Sequence, residues 1–180
     1  MAALWVFGYG SLMWDPGFPV AEARLARLAG YHRSFCMRSI HHRGTPADPG
    51  LVLALDTDED GACDGLALAV APGAEDDTLA YLRARELISS AYLETRLAIQ
   101  LRDGPAVEAV TFVVDRAHAQ YCAALPLEEQ AGIIARARGD RGPNRDYLWN
   151  TVAHLQELGI ADADLAWLAA RVRSLTATRP

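Results

Sequence analysis

Cysteine is scarce in this chain. Cys36, Cys63 and Cys122 are odd in number and far apart, and no Cys-x-x-Cys pair occurs. The spacing supports neither a disulfide framework nor a zinc ribbon, and it suits a reducing cytoplasm. Long apolar runs are missing as well. None reaches the roughly 20 residues that cross a bilayer, so no membrane partner is expected. The N-terminus has neither the basic start nor the small-residue cleavage site of a signal peptide. Positive charge is in deficit, with 17 basic against 23 acidic residues, a formal net charge of -6 and a pI near 5.3. That balance argues against nonspecific binding to nucleic acid or an acidic membrane face. Internal repeats, low-complexity stretches and linkers are also absent.

What is present is 180 residues, 51% hydrophobic, with a mean hydropathy of +0.02. This is enough chain for one domain with a real core, and residues 1–180 read as a single domain. Residues 3–7 read as a strand, and 28–38 mix aromatic and polar residues in a rough alternation that suits a second. The Gly and Pro of "HHRGTPADPG", 41–50, predict a loop. "LVLALD" and "DGLALAVA" read as two short strands split by a turn in "TDEDGACDG". Residues 75–88 read as a helix with an acidic start that suits the helix dipole. In "YLETRLAIQL", Leu93, Thr95, Leu97, Ile99 and Leu101 share one face. In "VEAVTFVVD", Val110, Phe112 and Val114 do the same, so the pair predicts an antiparallel hairpin across the turn "DGP". Helices are expected near 127–138, 144–158 and 162–175, with Asp162 capping the last. The fold class is α+β, a mostly antiparallel sheet followed by helices, with enough strands to close partly into a barrel.

The stretch "VFGYGSLMW", 6–14, breaks the first strand with two alternate glycines. Glycine lets a backbone turn sharply or approach a ligand closely. The dinucleotide fingerprint fails because Met13 stands where a third glycine belongs. A phosphate-binding loop would need Gly-Lys-Ser/Thr, and the nucleophile elbow fails because Ser11 directly follows Gly10. Two readings stay open, a structural turn and a nest of N–H groups for an anion or oxyanion.

Glu86 is the carboxylate out of place. On a helical wheel with Leu79 as reference, Leu82 falls at about -60°, Glu86 at about -20° and Arg83 at about +40°. Glutamate is almost never fully buried without a partner. It is either in a salt bridge with Arg83 or another arginine, or a desolvated general base with its pKa raised toward neutrality. His41 and His42 share a loop with Arg43, while His32, His118 and His154 are scattered, so no metal site is expected. Arg43 is an exposed charge or a carboxylate clamp. Tyr147, after "GPNRD", is a packing residue or a ligand contact.

Four blocks together, "WVFGYGSLMWDPGF", "HHRGTPADPGLVLALD", the "RE" of "LRARELISSAY" and "GPNRDYLWNT", resemble the ChaC family, the glutathione-specific γ-glutamylcyclotransferases. The blocks span nearly the whole chain in the family's order. "GYGSL" is shared with the wider cyclotransferase superfamily, whereas the "HRGTP" and "GPNRDYL" blocks are more particular to ChaC. The resemblance implies a small mixed, mostly antiparallel barrel flanked by helices. It implies a lyase reaction in which the substrate α-amine attacks its own γ-carbonyl, releasing 5-oxoproline and Cys-Gly from glutathione. By the same resemblance Glu86 is the general base and acid. Gly8, Tyr9, Gly10, Ser11, Leu12 and Met13 hold the γ-glutamyl part, and Arg43 and Tyr147 also contact substrate. Neither cofactor nor metal is implied, and the partner is a small molecule. The alternatives are another γ-glutamyl amino acid or amine as substrate, a non-catalytic regulatory protein on the same fold, and a serine hydrolase using Ser11, for which no triad is identifiable.

Overall fold

A computed structural model describes residues 2–88 and 90–177. Strand β1 (Trp5–Gly8) leads into a 3-10 turn (Ser11–Met13), then β2 (Val20–Ser39), β3 (Gly50–Val70) and helix α1 (Glu75–Glu86). The hairpin β4 (Tyr92–Leu101) and β5 (Ala106–Val114) follows. After it come α2 (Leu127–Arg136), the two-residue strands β6 (Arg138–Gly139) and β7 (Gly142–Pro143), α3 (Asn144–Glu157) and α4 (Ala163–Ala177).

Five strands close a barrel in the order β1-β3-β2-β4-β5. It is mixed: β1 runs antiparallel to β3 and parallel to β5, and β4 pairs antiparallel with β5 from Tyr92↔Val114 to Gln100↔Ala106. The expected hairpin is present. Ile99 and Leu101 of β4 share the barrel-core face with Ala109 of β5, Val110, Phe112 and Val114 are buried on the opposite face, and Leu93 is half exposed. Closure removes sheet edges and leaves room inside for side chains alone. Phe7, Leu28, Leu55, Cys63 and Ile99 fill that space.

Two expectations are corrected. "TDEDGACDG" is no turn, because β3 runs unbroken through it for 21 residues. Its acidic residues and glycines carry a turn composition, yet neither Gly61 nor Gly65 needs a positive φ. The neighbouring strand supplies the backbone hydrogen bonds, and pairing of this kind overrides intrinsic preference. Likewise β2 begins at Val20, well before residue 28. "AEARLARL" has the composition of a helix, but Ala26 and Arg27 pair with Leu101 and Gln100 of β4.

By its internal contacts the chain divides into two compact units. One comprises the residues up to Arg33 with Ala54–His118, and the other Ser34–Leu53 with the residues from Ala119 onward. The first holds β1, the 3-10 turn, α1 and the β4–β5 hairpin. In the second, α2, α3 and α4 bury Ile134, Leu148, Leu155, Leu168 and Val172. Asn144, at the start of α3, is fully buried there, and its side-chain amide both accepts from Leu51 N–H and donates to Leu51 C=O, each at 2.8 Å. Asp162 caps α4 as expected, accepting from Leu165 N–H at 3.1 Å.

Every one of the 17 basic side chains is an arginine. The planar fork can take a carbonyl and a second acceptor at once, and several arginines clamp backbone oxygens far away in sequence, Arg24 on Asp103 among them.

Candidate active site

The glycine loop is built where β1 runs out. Gly8 is the last residue to pair with β3, and a Cβ there would stand 3.3 Å from Leu12 Cβ and from Met13 N. The chain folds back tightly at this point, and any side chain would press on the turn. Met13 N–H closes the turn on Gly10 C=O at 2.9 Å, and Asp15 N–H bonds Ser11 C=O at 2.8 Å. The N–H groups of Ser11 and Leu12 precede the first bond of the turn, so they have no partner within it. Leu12 and Met13 are buried and anchor the turn.

Gly10 behaves differently from Gly8. It is buried, yet a Cβ placed on it would meet nothing within 4 Å. Its φ is -138°, so the residue is not left-handed. What glycine provides at this position is open space beside a buried backbone.

Helix α1 brings Glu86 into the same unit. The acidic start of the helix and Arg83 and Arg85 in its last turn both suit the dipole. Its buried stripe runs through Thr78 and Leu82 toward Glu86, whose side chain is 20% exposed. The first candidate partner, Arg83, is otherwise engaged, making a two-pronged contact with Glu94 at 2.7 and 3.0 Å. Arg85 instead faces Glu86, Nε to Oε1 at 3.4 Å, too long for a good hydrogen bond. Burial pushes the Glu86 carboxyl above its ordinary pKa, and the Arg85 cation opposes that rise. Glu86 therefore combines desolvation with incomplete pairing, as a proton-transfer group requires.

Arg85 entered the sequence reading only as the first letter of the "RE" block, with no role of its own, and it ties the two parts together. Its Nη2 donates to Ser11 Oγ at 3.0 Å, and its Nη1 to Asp15 C=O at 2.8 Å and Tyr81 Oη at 3.0 Å. The i,i+4 spacing of Tyr81 and Arg85 was visible in the sequence, but the loop partners were not. Arg33 was missed too. It is a buried residue of β2 whose guanidinium reaches the Tyr9 carbonyl.

Arg43 and Tyr147 lie in the second unit. The Arg43 guanidinium donates to the carbonyls of Arg141 and Pro143 at 2.9 and 3.2 Å and sits 5.8 Å from the centroid of the Tyr147 ring. Burial pulls its pKa down, against the opposing pull of Asp146. Tyr147 Oη accepts from Leu53 N–H at 3.3 Å, and its ring meets Phe35 edge-on. His41 and His42 are exposed, and their carbonyls accept from Asp140 and Arg141 N–H. Among the described residues no three His, Cys, Asp or Glu side chains gather as a metal site.

Comparison with known proteins places this geometry in context. A model of the ChaC-like protein family matches residues 4–175. A glutathione-specific γ-glutamylcyclotransferase of Escherichia coli is 37% identical over 97% of this chain and 74% of its own length. A γ-glutamylcyclotransferase of Arabidopsis thaliana, 2-3, is 36% identical over 96% of this chain and 90% of its own. The crystal structure of a yeast γ-glutamyl cyclotransferase specific to glutathione superposes with a TM-score of 0.84 at 21% identity, covering 97% of each chain.

Proposed function

The chain belongs to the ChaC-like family, and we infer on that premise that it is a γ-glutamylcyclotransferase cleaving glutathione to 5-oxoproline and Cys-Gly. The relatives from Escherichia coli and Arabidopsis thaliana support the reaction. The observation that carries the mechanism is the half-buried Glu86, with raised proton affinity, linked through Arg85 to the glycine loop.

The proposed chemistry runs as follows. The substrate's α-ammonium gives a proton to the Glu86 carboxylate. The freed amine nitrogen forms a bond to the γ-carbonyl carbon, and the carbonyl oxygen takes up the electron pair as an oxyanion. N–H groups of the Gly8–Met13 loop receive it; one such donor is worth about 3 kcal/mol. The oxyanion collapses, the bond from that carbon to the cysteinyl nitrogen breaks, Glu86 returns its proton to the departing nitrogen, and the ring nitrogen gives up its second proton to the same amine, so that 5-oxoproline is left as the lactam and Cys-Gly as the ammonium. No water is consumed. Nucleophile and electrophile belong to one molecule, so the protein's main work is to hold a five-membered-ring geometry.

Arg43 and Tyr147 are proposed as further substrate contacts on their motif positions. The ligand is a small molecule. The acidic balance of the chain argues against nonspecific binding to nucleic acid, and no described helix is long and apolar enough to cross a membrane. We place the protein in the cytoplasm, where its substrate class and its free cysteines are at home.

The test is incubation of the purified protein with reduced glutathione. Equal amounts of 5-oxoproline and Cys-Gly are expected. A glutathione analogue lacking the α-amino group should remain intact. Release of Cys-Gly from that analogue would show that water or a protein nucleophile attacks instead, and glutathione left intact beside a second γ-glutamyl compound that is cyclised would move the substrate assignment.

A further inference from the structure

Arg33 is a buried arginine that neither the family motifs nor the chemistry above uses. It lies on β2, in the unit that holds the glycine loop, with 7% of its surface exposed. Its Nη1 donates to the Tyr9 carbonyl at 2.5 Å and its Nη2 to the Asp64 carbonyl at 2.6 Å. Burying a cation is costly. A neutral donor would cross-link two backbone segments at lower cost, so the charge itself calls for a reason.

We propose that Arg33 is a positioning residue acting through the Tyr9–Gly10 peptide, which it orients and polarises so that the Gly10 N–H receives the oxyanion formed in cyclisation. The inference rests on the reading of the loop given above. The described peptides are all trans, so the N–H of this unit points away from the carbonyl that Arg33 holds. Among the described residues no acceptor takes the Gly10 N–H. Gly10 is buried beside open space, so a substrate oxygen can come within reach of its backbone. The Tyr9 ring packs against the barrel core and fixes the plane from the other side. A charge-assisted bond at the carbonyl withdraws electron density from the peptide and makes its N–H a stronger donor. The Asp64 carboxylate, held low chiefly by its hydrogen bonds from Arg27 and in smaller part by Arg33, supplies negative charge nearby.

Two variants separate charge from geometry. Arg33→Gln keeps N–H donors and loses the charge, whereas Arg33→Lys keeps the charge and loses the fork. With glutathione as substrate and both proteins folded, kcat should drop about tenfold or more in Arg33→Gln and by a smaller, severalfold factor in Arg33→Lys, with KM within about twofold, because the donor strengthens most in the transition state. A merely structural arginine would raise KM along with any fall in kcat and would track the melting temperature. A folded Arg33→Gln protein with unchanged kcat, an equal change in KM, or Arg33→Lys falling below Arg33→Gln would each overturn the proposal. Should Arg33→Gln not fold, Arg33→Lys decides, since one ammonium cannot span both carbonyls: a severalfold fall in kcat at constant KM supports the role and wild-type kcat refutes it. Absence of 5-oxoproline from the wild-type protein would remove the cyclotransferase reading itself. An active wild type with an unaffected Arg33→Gln variant would remove only the role of Arg33.

Discussion

Ser11 accepts a hydrogen bond from Arg85 at 3.0 Å across 74 positions of chain. The same guanidinium stands 3.4 Å from the carboxylate of Glu86. One side chain thus sets the loop against the end of α1 and tempers the acid–base group.

Replacing Arg85 by Met should therefore do two things. Loss of the Ser11 and Asp15 contacts should loosen the loop and raise KM. Loss of the cation should let the Glu86 pKa rise further, so the acid limb of kcat/KM moves to higher pH. An unmoved limb in a folded Arg85→Met protein would show that the two groups are not coupled.

Glu86→Gln should lower kcat by about 10²- to 10⁴-fold, the range for a positioned general base, without loss of fold. The amide has nearly the same shape but accepts no proton. Circular dichroism and turnover on one preparation check this, and activity within about tenfold of wild type would remove Glu86 as the base.

The pH dependence follows from burial. The ordinary glutamate value is 4.5, and desolvation places Glu86 above it. Activity should fall as pH drops through that raised value, because the base must be ionised. Stability runs the other way: between the unfolded and the folded pKa the native state binds the proton more tightly, so stability declines as pH rises through that window. Glu86→Gln is free of this decline. Its melting temperature should exceed that of wild type above the window, with the gap closing below it. A gap that does not change with pH would contradict the raised pKa.

Gly10→Val should cost activity more than stability. The residue is not left-handed, and its Cβ would meet nothing within 4 Å, so the branch point of the new side chain is accommodated. The added side chain would occupy the space proposed for the γ-glutamyl group. A stable variant with near-normal turnover would return the loop to a plain turn.

Asn144→Ala should destabilise by about 2–4 kcal/mol, because it leaves the Leu51 N–H and C=O both buried and unbonded. Urea titration of both proteins measures the difference, and a loss under about 0.5 kcal/mol would mean that water replaces the amide.

By itself the sequence determined whatever depends on local periodicity. The alternation in β4 and β5 marks the hairpin, because a strand shows opposite faces at successive residues. Asp162 caps α4 because a short acidic side chain reaches the N–H three residues on. Glu86 stood out for the same kind of reason, as a charge on a leucine face. Tertiary structure alone decided the rest. The helix-like start of β2 and the turn-like middle of β3 became strand because a partner strand offered hydrogen bonds that local propensity does not encode. Arg33 and Arg85 found the loop's oxygens only once closure of the barrel brought residues 24 and 74 positions apart together. An arginine's place in the chain carries no trace of the carbonyl it will meet, since that distance is set by the packing of the whole unit.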